Sequence, residues 1–313
     1  MINFRCWIAL FALAMTGVAT AAEKQHIVFV TGDEEYRSEE SMPMMAKILA
    51  EQHGFRCTVC YALADDGTIN PTRLDNIAGL EALKTADLMV MFTRFRALPD
   101  DQLQLILDYA NSGKPMIGFR TTSHAFLYKS SPNNKWNDAF GRNIFGQKWI
   151  THHGHEKGEF LTAVTPIAEQ KDNPILRGIE PFSVPSWLYH VTGGGDKLEG
   201  DCTLLLEGKS LVSGHEKAKR TERYPTTQPV AWTKGYMGTS GKTAKVFFTT
   251  LGHPHDFRAD AMRKLVVNAV YWSLGREAEI PATGSKADLI GKFDLTTAAS
   301  GGNRKGIKPQ PIE

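Results

Sequence analysis

The chain has 313 residues, 42% hydrophobic and 22% charged, with 36 lysines and arginines against 34 aspartates and glutamates. A net charge of +2 builds no polyanion-binding surface, which argues against a nucleic-acid partner. The apolar share can fill one large core, and past the N-terminus no apolar run is long enough to span a bilayer.

Arg5, the apolar run Cys6–Ala14 and Ala19-Thr20-Ala21 form the three parts of a secretory signal over residues 1–21. Cys6 sits too early to end a lipobox, so the expected product is exported, periplasmic or secreted, without a lipid anchor. Residues 22–280 are expected to form one domain.

Strand and helix patterns alternate through the first half, as in a parallel sheet. His26–Thr31 is a continuous apolar run, suited to a strand covered on both faces. A helix is expected from near Ser41, with Pro43 in its first turn, Met45, Ile48 and Leu49 on its apolar face, and Gly54 ending it. The second strand is Arg56–Tyr61. It carries Cys57 and Cys60 in C-x-x-C spacing, which is either a redox pair or half a metal site, or two buried thiols on opposite faces of a strand. A short helical piece near Leu80–Lys84 leads to a third strand, Asp87–Thr93. Pro99 then opens a helix whose Leu103, Ile106, Leu107 and Ala110 share one face, and Gly113 ends it. Pro115–Phe119 is the fourth strand.

Trp136–His155 reads as loops and short helices around a site. Further strands are expected at Phe160–Val164, Cys202–Leu206, Val230–Trp232 and Lys245–Thr250, and a last helix over Arg258–Leu274. Residues 281–313 turn polar and Gly/Ser-rich, the composition of an extended or mobile tail.

Ligands of open parallel sheets bind beyond the carboxyl ends of the strands. Three loops there carry charge: Asp33-Glu34-Glu35-Tyr36-Arg37, Arg94-Phe95-Arg96, and Arg120-Thr121-Thr122-Ser123-His124. No glycine-rich phosphate loop follows the first strand, and Gly118-Phe119-Arg120 puts arginine where a nucleophile elbow holds Ser or Cys. Dinucleotide binding and covalent acyl chemistry are therefore not expected. His152, His153 and His155 form one histidine group, and His253-Pro254-His255-Asp256 another, with spacing compatible with acid–base work, metal ligation or a helix cap. Trp136, Trp187, Tyr189 and His190 either stack on a sugar or pack in the core.

Four segments, Val28–Glu40, Pro115–Phe126, Asn173–Ile179 and Lys245 through Glu277, resemble the ThuA-like domain, the trehalose-utilisation family within the class I glutamine amidotransferase-like folds. The resemblance implies an α/β fold, a flavodoxin-like, mainly parallel sheet with helices on both faces. It also implies the loss of the amidotransferase cysteine and a role in disaccharide or keto-glycoside catabolism. ThuA-like proteins often carry a histidine soon after the glycine of the fourth-strand motif; here Gly118 and His124 are further apart.

The leading expectation is acid–base chemistry on a small-molecule carbohydrate. Asp33 or Glu35 would be the base, and His124 or His255 the acid–base partner, with Asp256 orienting it. Tyr36, Arg37, Arg94, Arg96, Arg120, Tyr189, His190 and His253 would contact the substrate. No cofactor is required. The alternatives are a non-catalytic sugar-binding or scaffold module, and a metal-dependent hydrolase using His152, His155, His253 and His255. Nothing in the pattern specifies an oligomeric state.

Overall fold

A computed structural model describes residues 23–312. The export signal expected over residues 1–21 lies outside them. Among the described residues no helix is long and apolar enough to cross a membrane.

The parallel half of the sheet is made of β1 (His26–Gly32), β2 (Arg56–Cys60), β3 (Leu88–Thr93), β4 (Met116–Phe119) and a strand from late in the chain (Thr243–Thr249). Between β4 and that strand the chain forms β5 (Thr151–His152), β6 (Thr162–Pro166), β7 (Phe182–Val184), β8 (Tyr189–His190), β9 (Thr203–Ser210) and β10 (Thr227–Met237), which makes the late strand β11. The main sheet runs β2-β1-β3-β4-β11-β10-β9-β6-β7, while β5 and β8 pair separately. Pairings from β2 to β11 are parallel, and those from β11 to β7 antiparallel. The α/β expectation holds, with flavodoxin-like order in the parallel half and an antiparallel extension beyond it.

The first strand shows why the sequence folds this way. Every residue of β1 is buried, and its side chains alternate between two cores. Ile27 and Phe29 meet the layer of α1 (Ser38–His53) and α5 (Asp260–Ser273), through Met45, Ile48, Met262 and Leu265. Val28 and Val30 meet the layer of α2 (Asp100–Asn111), through Leu103 and Ile106. Cys57 and Cys60 fall in different cores, as strand spacing demands, and burial pushes both thiols up to about 12. Both are free, so the two-buried-thiols reading is the one that fits.

Some element boundaries differ from the expected ones, and the short helices expected after Trp136 are present. Helix α1 starts one turn before the expected Ser41, with left-handed Arg37 as its N-cap (φ 55°), so Pro43 falls inside the helix. Strand β10 runs well past Val230–Trp232, because its two neighbours cover both of its edges. The region around Trp136 holds α3 (Trp136–Phe140) and a π turn, Gly141–Phe145. A further one-turn helix, α4, spans Gly214–Lys217.

Residues 281–312 form no regular element but are packed along the domain. Ser285 donates to Asn268, Arg263 donates to the Ala287 carbonyl, and Gln52 of α1 donates to that of Asp288. Leu295 is buried, and farther on Ile69 donates to the Ile307 carbonyl at 2.7 Å.

Candidate functional site

The chain order of the sheet reverses direction between β1 and β3, and a crevice opens outside their carboxyl ends, the usual ligand position in this architecture. Two cavities lie there. The smaller, about 170 Å³, is lined by Arg94, Phe95, His124, Trp149, His152 and Tyr189. The larger, about 370 Å³, is lined by Trp187, His253, His255, Pro185, Glu156 and the tail residues Thr297–Ala299, among others. Glu35 and Tyr36 line both. The crevice is thus two lobes meeting at the turn after β1.

That turn is tied from within. One oxygen of Asp33 accepts the backbone N–H groups of Glu35 and Tyr36 at 2.7 and 2.8 Å, and the other accepts the Thr121 hydroxyl. Asp33 is fully buried and holds the turn, while Glu35, two residues on, faces the lobes. Burial lifts the Glu35 carboxyl above its ordinary 4.5, against the pull of Arg94, whose guanidinium lies 3.1 Å away.

The expected arginines separate into different roles. Arg94 bridges Glu34 and Glu35 and lines the smaller lobe. Arg96 is buried against Glu34 and the carbonyls of Pro71, Arg73 and Arg94, so its guanidinium does not reach either lobe. Arg37 is also turned away, donating to Thr296 and to the carbonyls of Glu34 and Gly301. Substrate contact by Arg37 and Arg96 is therefore not what the geometry offers; both are framework.

Arg120 sits at the corner after β4 with φ 37°, a conformation non-glycine residues rarely adopt. Its guanidinium is buried between the rings of Tyr36 and Tyr189, at 4.4 and 4.3 Å. It donates to the carbonyls of Trp187 and Thr250 and to the Tyr36 hydroxyl, and its Nε has no partner among the described residues. Because Tyr36 Oη accepts that bond, its own proton remains available to the lobes.

Hydrogen bonding fixes the tautomers of two histidines. The Ser123 hydroxyl donates to the Arg120 carbonyl, so at 3.1 Å it can only accept from His124 Nδ1. His124 Nε2 is then a bare acceptor in the smaller lobe. His253 Nδ1 accepts the backbone N–H of His255 at 3.1 Å, which puts the His253 proton on Nε2 as a donor in the larger lobe. Burial, then Arg94 and Arg120, hold His124 well below its ordinary 6.5. Burial and then Arg120 bring His253 down to about 3. Both rings are neutral at neutral pH.

Asp256 does not orient His255. It is buried and accepts from Gly252 N–H, His253 N–H and both the N–H and hydroxyl of Ser186, so it builds the His253 turn. Gly252 is required there: its φ is 148°, and a Cβ would lie 3.0 Å from the Phe92 ring. His255 Nε2 instead meets the Leu295 carbonyl of the tail, at 3.2 Å. His190 lines neither lobe and is paired with Asp196 at 2.9 Å. His152 pairs with His155 (ring centroids 4.9 Å) and His253 with His255 (5.2 Å). Among the described residues no group of three or more His, Cys, Asp or Glu side chains could hold a metal, so these two pairs do not form the ligand set of the hydrolase alternative.

A sequence family described as Trehalose utilisation (ThuA) matches residues 26–273. The chain belongs to the ThuA family. Among solved structures, a ThuA-like protein from Bacteroides uniformis is similar at 15% identity, covering 82% of this chain and 94% of that one with a TM-score of 0.50. A ThuA-like protein from Parabacteroides merdae, 12% identical, covers 80% and 90% with a TM-score of 0.49. The first of these shows a shared fold. No curated protein matches the chain. ThuA membership supports a carbohydrate-related role in general terms.

Sequence reasoning missed Trp149, Glu156 and Thr297–Ala299. A tryptophan in an irregular segment has no periodicity to place it. The three tail residues carry no chemistry that would mark them, and only long-range contacts bring them to the crevice.

Proposed function

We propose that this ThuA protein is exported and binds a disaccharide-sized keto-sugar across the two lobes, where Glu35 abstracts a proton beside the carbonyl. The observation that carries this reading is that Glu35 and Tyr36 line both lobes. An acid whose pKa burial has raised is poised to take a proton near neutral pH. The C–H electron pair becomes the C=C bond of an enediolate, and the negative charge goes to the carbonyl oxygen. Neutral His253, through its Nε2–H, and the free Tyr36 O–H are the donors for that oxygen, and Arg94 and Arg120 supply positive charge close by. Return of the proton to the neighbouring carbon gives isomerisation, whereas departure of a group β to the lost proton gives elimination. Trp187, its indole N–H fixed on the Glu156 carbonyl at 2.7 Å, supplies an aromatic wall for a sugar ring.

The test is deuterium wash-in beside the carbonyl of 3-keto-trehalose, followed by NMR. Glu35→Gln should slow exchange by about 10²–10⁴-fold, with thermal stability little changed. Undiminished exchange in that variant would remove Glu35 from the role. Binding without turnover is the second reading: Asp33 is tied into the turn and so cannot serve as a second carboxylate of an acid–base pair with Glu35. Saturable calorimetric binding with no exchange in the unmodified protein would select it.

A further inference from the structure

The family match ends at residue 273, yet the larger lobe is walled by residues 297–299. The segment that makes this wall is clamped on both sides. Before it, Thr296 donates its N–H and hydroxyl to the two oxygens of Glu40, each at 2.8 Å, and its hydroxyl accepts from Arg37 Nε at 3.0 Å. After it, the Gly301 carbonyl accepts from the same arginine and the Gly301 N–H donates to the Glu34 carbonyl at 3.1 Å. Between the clamps, Ala299 N–H donates to the Glu35 carbonyl at 3.0 Å. A buried arginine with a left-handed backbone thus staples a loop that begins more than 250 residues away onto the turn carrying Glu35.

We propose that residues Thr296–Gly301 are a fixed specificity wall, with Arg37 as its positioning residue and Ala299 setting the room left in the larger lobe. The wall residues are small, Thr297, Ala298 and Ala299, and leave the lobe open enough for a sugar ring. Because the strap bonds to the backbone of Glu34 and Glu35, the same contact that bounds the lobe also fixes the base. This deepens the reading above and rests on it for the identity of the ligand, but not for the existence of the wall.

The experiment has two arms, both on the full chain. In the first, amide hydrogen exchange is followed without ligand. Ala299 and Gly301 should be protected in the unmodified protein, and Arg37→Ala should speed their exchange at least tenfold. Free exchange of both amides in the unmodified protein would overturn the wall whatever the ligand proves to be. In the second, Ala299→Trp and Ala299→Ser are assayed with 3-keto-trehalose and 3-keto-glucose. Tryptophan should lower the two-ring to one-ring ratio of kcat/KM more than tenfold, chiefly through KM, while serine keeps the ratio. An unchanged ratio in Ala299→Trp would overturn the specificity role. If the unmodified protein acts on neither sugar, the proposed function falls on that result, and the exchange arm still decides the wall.

Discussion

Glu39, the second residue of α1, borders a cavity of about 270 Å³ between the helix and the tail, and among the described residues no side chain or neighbouring backbone group is hydrogen-bonded to its carboxyl oxygens. Burial lifts its pKa from 4.5 to about 8, despite the opposing pull of its own backbone N–H and then of Arg37. Between those two values the folded chain holds a proton that the unfolded chain has released. The folded state therefore binds more protons, and stability must fall as pH rises through this window. At about 1.4 kcal/mol per pKa unit, the shift amounts to about 5 kcal/mol across it. Glutamine has nearly the same shape and cannot ionise, so Glu39→Gln should lack this loss. Urea unfolding of both proteins from about pH 5 to about pH 9 measures it. The stability of the variant relative to the parent should climb by several kcal/mol up to about pH 8 and then level off. Parallel curves would refute the burial argument, since they would mean that Glu39 reaches solvent or finds a cation in the folded state.

Two further outcomes follow from the site. Asp256→Ala strands four buried or half-buried donors, on Gly252, His253 and Ser186, and should cost about 3 kcal/mol or more in urea unfolding; a loss under about 1 kcal/mol would show that the turn holds without its acid. The rate of keto-sugar exchange should fall with decreasing pH along one limb set by Glu35, displaced above 4.5, because the base must be ionised. His124, His152 and His253 are all depressed below 6.5 and stay neutral, so they add no limb there; a limb near 6.5 that persists in Glu35→Gln would reassign the base to a histidine.

The parallel half of the fold was legible because its strands are buried on both faces. His26–Thr31 and Leu88–Thr93 are unbroken apolar runs, and α2 shows its apolar face at helical spacing. The short strands β5, β7 and β8 were not legible, since two or three residues carry no period. Within the site, the convergence of the loops after β1, β3 and β4 followed from the topology alone, and Glu35, Tyr36, Arg94 and His124 do share one lobe. Which of the charged residues would face inward did not follow. Arg37 and Arg94 are alike in sequence terms, but one sits at a helix start reached by the returning tail and the other beside Glu35. Such partners lie tens to hundreds of residues away, and local spacing holds no trace of them.

Arg120 acts on several parts of the site at once. The chain makes a sharp, left-handed corner at the carboxyl end of β4, the kind of position from which other α/β proteins project a nucleophile, and here a guanidinium occupies it. Among the described residues no carboxylate touches that cation; two tyrosine rings, two carbonyls and a hydroxyl hold it instead. A desolvated cation–π contact is worth about 2 kcal/mol or more, which helps to offset burying the charge. Its charge is felt in the lobes, where it acts on the two kinds of titratable group in complementary ways. It helps to keep His124, His152 and His253 neutral, and it partly opposes the rise that burial imposes on Glu35. An ionisable base beside neutral hydrogen-bonding imidazoles is the state the proposed enolate chemistry would use, and one buried arginine favours both halves of it.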